Sequence, residues 1–204
     1  MRDALGVGRV LRASTGTFVV GCRVSQLDLP AFGSLVWAAA EKDYQVFGLV
    51  YDTRIQDDGL VRQLVTAESV SAEVILDNRE RRVVPVEISA LVVGFQVAGR
   101  IRHQLPPRPP LSLDVIHSCD MDDLRRFTSA GRFDYFRHIL RAPDIPVADL
   151  VAAHLRQARA AQADPQQWTD RAVQELITLL RDDFPLLTSV LGAIDIVVAD
   201  ESSE

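Results

Sequence analysis

The side chains able to do chemistry are few and scattered. The 204-residue chain has four histidines, His103, His117, His138 and His154, and no two of them form an H-x-x-x-H or H-E-x-x-H pair. His117-Ser118-Cys119-Asp120 sets two metal-ligand types side by side. Structural zinc takes four ligands, usually as two close pairs, and no second pair is present. There is no C-x-x-C, no G-x-S-x-G and no G-x-G-x-x-G after a strand, since Gly6-Val7-Gly8 precedes one. Asp52, Asp57 and Asp58 are near enough in sequence for an acid pair, but aspartates ahead of a helix fit solvated caps better. The sequence therefore assigns no catalytic, metal or cofactor-binding residue and implies no cofactor.

Arg79-Glu80-Arg81-Arg82 is the densest basic cluster, with Arg100 and Arg102 on what reads as a neighbouring strand. These five arginines are the candidate contacts for a partner or a nucleic acid. Small barrels bind nucleic acid on such faces by interleaving aromatics for base stacking. This hairpin has no aromatics, and a charged strand edge that deters aggregation is the simpler role. The net charge is −6, unevenly divided. Residues 1–105 carry 12 basic and 12 acidic side chains, and residues 106–204 carry 10 and 16. An acidic C-terminal half repels phosphate backbones. The single lysine, Lys42, against 21 arginines fits the codon usage of a GC-rich genome.

The elements that must position these groups divide at Leu105-Pro106-Pro107-Arg108-Pro109-Pro110-Leu111. Its prolines cannot donate backbone hydrogen bonds and fix φ near −65°, which favours a stiff polyproline-II connector. The run fits a rigid spacer, with docking into an SH3-like groove as the alternative. Before it, alternating or apolar stretches predict strands at Val10–Ala13, Phe18–Val24, Leu35–Ala39, Tyr44–Tyr51, Ala72–Leu76 and Arg81–Val84. A short helix is predicted between Asp52 and Val70. Pro85 places the strand before it at an edge or a bulge. Ile88 to Phe95 reads as a strand buried on both faces, and Arg100–Leu105 ends the set. After the prolines, Asp120 predicts a helix cap, and Phe133 to Leu140 and Val147 to Ala158 make apolar stripes. Asp164-Pro165 starts a fourth helix to about Asp182, with Trp168, Ala172, Leu176, Leu179 and Leu180 as its stripe, widened by Val173 and Ile177. Leu186 to Gly192 predicts helix, and Ile194 to Val198 a short strand.

The fold class expected is α+β, a small antiparallel β-barrel of about six strands followed by an all-α C-terminal domain. The domains expected are 1–105 for the barrel, 106–112 for the linker and 113–204 for the helices. No apolar run is long enough to cross a bilayer, and the N-terminus has no signal-peptide core. Cys22 and Cys119 read as reduced thiols rather than as a disulfide. A cytoplasmic protein without membrane contact is the expectation.

Gly8-Arg9-Val10, Phe18, Gly33-Ser34-Leu35-Val36 and Val46-Phe47-Gly48-Leu49-Val50 occur in the order of a HAS barrel. Over residues 5–100 the chain resembles that family, a barrel at the N-terminus of HerA-type DNA translocases and of ATP synthase ring subunits. An OB-like or PRC-like barrel is the alternative. In the translocases an ATPase motor follows, but no G-x-x-x-x-G-K-[ST] exists here, and Lys42 lies between Glu41 and Asp43. The resemblance implies a collar without an engine. The sequence thus predicts a non-catalytic assembly or adaptor protein, forming a homo-oligomer or docking to a protein partner such as a DNA-processing ATPase. A nucleic-acid-binding barrel is the alternative.

Overall fold

A computed structural model describes residues 6–24, 29–41, 43–55 and 84–201. Seven strands are present among them: β1 Gly6–Ala13, β2 Thr17–Val24, β3 Leu35–Glu41, β4 Tyr44–Ile55, β5 Val84–Val97, β6 Arg100–Arg102 and β7 Val115–Ser118. Five helices follow: α1 Met121–Ser129, α2 Phe136–Leu140, α3 Val147–Ala160, α4 Pro165–Leu179 and α5 Phe184–Glu201. The short helix expected within Asp52 to Val70 and the strands at Ala72–Leu76 and Arg81–Val83 fall outside the described residues, while Asp52–Ile55 continues β4.

Six strands close into an antiparallel barrel in the order β1-β2-β5-β4-β3-β7, with β7 returning to β1. The barrel is filled by its own side chains. Val10, Phe18, Val20, Val36, Ala38, Val46, Val50, Ile88, Ala90, Val92 and Ile116 are at most 1% exposed. Alternation explains this, because every second residue of a strand points inward. The Phe18 ring reaches across to β4, where a Cβ on Gly48 would lie 2.7 Å from it. Only glycine lets that ring enter.

The strand that closes the ring, β7, lies beyond the prolines in sequence and inside the barrel in space. His117 is opposite Gly6 of β1 and Trp37 of β3. The proline segment that delivers it is fastened to the barrel. The Tyr44 hydroxyl donates to the Arg108 carbonyl at 2.7 Å, and the Arg108 guanidinium lies 5.8 Å from the Tyr44 ring centroid. Arg9 donates to the Leu113 carbonyl at 2.8 Å. Strand β6 stays outside the ring, joined to β5 by a tight turn with Ala98 and Gly99 at positive φ of 48° and 76°. Pro85 pairs with Arg23 of β2. It lies one residue beyond the β4 ladder, which begins at Val86 opposite Ile55. There a missing donor costs nothing on the β4 side.

The outer faces of β3, β4 and β5 form the floor of a second core. Leu35, Phe47, Leu49, Leu91 and Val93 pack there with Phe127, Tyr135, Phe136, Leu150 and Leu176 from the helical segment. Strand β5 is therefore apolar on both faces, with Ile88, Ala90 and Val92 in the barrel and Leu91 and Val93 under the helices. Asp120 caps α1 by accepting from the Asp123 amide at 2.8 Å, and Asp164 caps α4 by accepting from Gln167 at 2.9 Å.

Two expectations are corrected. Ile194 to Val198 is not a strand, since α5 runs unbroken from Phe184 to Glu201. In the α4 stripe, Leu179 and Ile177 are exposed at 42% and 44%, while Trp168, Ala172, Leu176 and Leu180 carry the burial. The neighbours α3 and α5 cover one side of α4 only.

Gly48→Ala is expected to destabilise the fold by about 1–3 kcal/mol, because Phe18 has no space to retreat into. Urea unfolding measures this, and an unchanged midpoint would contradict the close approach of Phe18 and Gly48.

Candidate functional site

Where the helices meet the barrel, α3 holds the loop between β2 and β3. Gly33 has φ +81°, and a Cβ there would lie 2.8 Å from the His154 amide nitrogen. Glycine thus permits both the turn and the approach of α3. The Gln157 amide donates to the Phe32 carbonyl at 2.9 Å, and the Ser34 hydroxyl donates to Gln157 Oε1 at 2.9 Å. His154 lies one turn earlier, between the Gly33 carbonyl at 3.3 Å from Nδ1 and the Tyr135 hydroxyl at 3.1 Å from Nε2. A carbonyl only accepts, so Nδ1 carries the proton and Nε2 accepts from the Tyr135 hydroxyl. This is a neutral imidazole. Burial pushes its pKa down to about 4, against the pull of the Gly33 carbonyl. Burial likewise drives the Tyr135 phenol up, keeping its proton in place.

A paired histidine and tyrosine are able to do acid–base chemistry. Here both are 0% exposed and each polar atom is already bonded. Aromatic rings surround them. Tyr135 packs on Phe136 at 4.8 Å, His103 at 5.0 Å and Phe127 at 5.3 Å between centroids. The cluster is a neutral, hydrogen-bonded joint.

His103 extends the joint to the surface. Its Nε2 donates to the Phe127 carbonyl at 2.9 Å, and desolvation by burial lowers its pKa. The His103 carbonyl faces outward and receives Arg137 Nη2 at 3.4 Å and His138 Nε2 at 3.3 Å. This brings β6, with Arg100 and Arg102 exposed on one face, against the segment from Gly131 to Arg141. Arg126 of α1 donates to Gln96 of β5 at 3.0 Å, next to the same hairpin. The pKa of His138 is lowered first by desolvation, and the guanidinium groups of Arg137 and Arg141 add to this.

The result is an arginine face in which Arg126, Arg137 and Arg141 lie near Arg100 and Arg102 of β6, with Arg125 and Arg132 on the same segment of chain. Arg125, Arg126 and Arg137 are partly neutralised by Asp122, Asp123 and Asp134 at 2.6, 3.5 and 3.5 Å. Arg100, Arg102, Arg132 and Arg141 are exposed and have no hydrogen-bond or ion-pair partner among the described residues. Such a face binds anionic groups, guanidinium being suited to carboxylate and phosphate.

Of the arginines singled out in the sequence, Arg100 and Arg102 belong to this face, and Arg79, Arg81 and Arg82 lie outside the described residues. Arg132, Arg137 and Arg141 went unnoticed because they lie in a half whose charge averages −6. Their signal was the local run of five arginines between residues 125 and 141. His117 is elsewhere, stacked on Trp37 at 4.3 Å between centroids. Asp52 is held by Arg54 at 2.8 Å. Cys22 and Cys119 are free thiols. Among the described residues no three His, Cys, Asp or Glu side chains converge as a metal site.

Fold and surface together define an α+β protein built on a closed six-stranded antiparallel barrel with an arginine face beside it. No known protein family matches the sequence, and no curated protein matches it.

His154 makes stability depend on pH. Its folded pKa of about 4 is below the ordinary 6.5. Its contribution is therefore complete above pH 6.5 and lost as pH falls from there towards 4. The expected loss from this residue is about 3 kcal/mol by pH 4. Urea unfolding at a series of pH values should give a shallower acid slope for His154→Gln than for wild type. Equal slopes would refute the assignment.

Proposed function

We propose that this protein is a non-catalytic assembly or docking module. It acts in the cytoplasm through its outer surface, and copies of itself are the first partners to consider. The observation that carries this reading is the filled barrel, whose core residues are at most 7% exposed. A lumen packed in this way holds no substrate, and the most reactive-looking pair, His154 with Tyr135, is sealed from solvent. What remains available is surface: the arginine face, and exposed apolar side chains such as Phe184. The HAS-barrel resemblance supports the version in which the barrel joins a ring or docks onto a motor. Two of its motif glycines have close-packing roles, Gly48 beneath Phe18 and Gly33 against α3. In this reading the barrel, closed by β7 from beyond residues 1–105, forms the docking unit and the helical segment a second unit. No helix among the described residues is long and apolar enough to cross a membrane.

A nucleic-acid-binding barrel is the second reading, favoured by the unpartnered Arg100 and Arg102 on β6. Among the described residues Phe184 is the only aromatic of the exposed large apolar side chains, and it is on α5, away from β6 in sequence. Base stacking of the usual kind therefore has no platform on that strand.

Solution mass by light scattering, at about 50 mM and about 500 mM salt, tests the assembly reading. A mass of two or more copies at the lower salt is expected. A monomer at every concentration and both salts, binding no protein partner, would sink it.

A further inference from the structure

We propose that copies of this chain join head to tail, the arginine face of one copy meeting the acidic α4–α5 end of the next. The pairing rests on the assembly reading above. Residues 100–141 contain eight arginines and five aspartates, whereas residues 165–204 contain two arginines and eight carboxylates. The segment from α4 onward thus carries −6, equal to the net charge of the whole chain. The two groups are carried by different elements of the molecule. Helices α1 and α2 pack on α3 and, for α2, on β5, while α5 packs on α3 and α4. Helix α3 touches both groups, and α4 also meets the segment before α2 directly, with the Trp168 and Phe133 ring centroids 5.3 Å apart.

Both segments also carry exposed apolar side chains, which interfaces use alongside charge. On the acidic side, Ile177, Leu179 and Phe184 are 44%, 42% and 74% exposed. Glu175, Asp182 and Asp183 surround them in sequence, and the Asp182 side chain is itself 90% exposed. Its contact with Arg181, at 3.2 Å between two exposed side chains, leaves the carboxylate open to a further cation. On the basic side, Val97 and Leu105 are exposed next to Arg100 and Arg102. Phosphate backbones offer no counterpart to these exposed apolar side chains, whereas a second copy offers both them and the opposite charge. The two faces differ, so each contact is heterologous, and repeating it closes a ring or extends a chain.

The test uses two sets of charge reversals that remove no internal bond of the fold other than the weak Arg181 contact. The first is Arg100→Glu, Arg102→Glu and Arg141→Glu together, the second Glu175→Arg with Asp182→Arg. Mass is read by light scattering at low salt, with circular dichroism and thermal melting to show that each variant is folded. Self-association should weaken about tenfold or more in each variant alone, and return when both sets are combined in one chain. The combined chain is two charges more negative than wild type, so its recovery cannot come from reduced net charge. If wild type associates and neither set weakens it, or the combination fails to restore it, the pairing is wrong while the assembly reading stands. If wild type is monomeric at low salt, the pairing falls, and the assembly reading falls with it only where no protein partner binds either. If the arginine set leaves mass unchanged but abolishes binding to duplex DNA, the face is a nucleic-acid surface and the head-to-tail pairing is overturned.

Discussion

The wall formed by β3, β4 and β5 is buried on both sides, and the rest of the structure depends on it. Behind it Val36, Val46, Val50, Ala90 and Val92 fill the barrel. In front Leu35, Phe47, Leu49, Leu91 and Val93 carry the helices. A wall of this kind has no solvated face, so polar alternation is excluded from its centre and each residue must fit two cores at once. The shape of the barrel and the seat of the helices are therefore not independent. Phe18 must enter over Gly48 for the inner core to close, and the same strand presents Phe47 to Phe127 on the outside, at 5.0 Å between ring centroids.

Hydrophobic contact alone would let the helices slide on that wall. Three polar contacts from α3 remove the freedom: His154 to Gly33, Gln157 to Phe32, and Ser34 to Gln157. All are between neutral groups. Burying an ion pair would cost more in desolvation, whereas a satisfied neutral network specifies position at smaller cost. Tyr135 completes the network by giving the second nitrogen of His154 a donor. The weakness of such a joint is acid, because a protonated imidazole would present two donors where the site provides one carbonyl and one hydroxyl already oriented to donate.

Local pattern made much of this readable in the sequence, and non-local pairing hid the rest. The apolar run from Ile88 to Phe95 has the composition of a strand covered on both faces, and it is one. Asp120 and Asp164-Pro165 marked helix starts because capping is a property of a few adjacent residues. Strand β7 lies in Leu113–Cys119, which reads as extended chain after the prolines but carries no signal of what it pairs with. Its four residues acquire their place only by pairing with Gly6–Arg9 and Val36–Ala39, many residues away and across a proline run. The β-branched segment from Ile194 to Val198 favours a strand by propensity, but packing of α5 on α3 and α4 overrides that preference. The arginine face was obscured in another way. Arg100 and Arg102 were noticed as part of a strand cluster, while Arg132, Arg137 and Arg141 were averaged into an acidic half. Only the His103 carbonyl, receiving both Arg137 and His138, shows that the two groups share one surface.

That surface has its geometry fixed by the same helix that fixes the core. Helices α1 and α2, which carry Arg125, Arg126 and Arg137, pack on α3, and so does α5. α3 in turn is tied to the barrel at Gly33. A displacement of α3 would thus move the arginine face and the acidic end relative to the barrel and to each other. Surfaces that must recognise a fixed partner geometry need this kind of support, since screened charges attract over a range of angles and select none of them. The neutral joint and the charged faces divide the work accordingly, the joint setting where the charges stand and the charges setting what they meet.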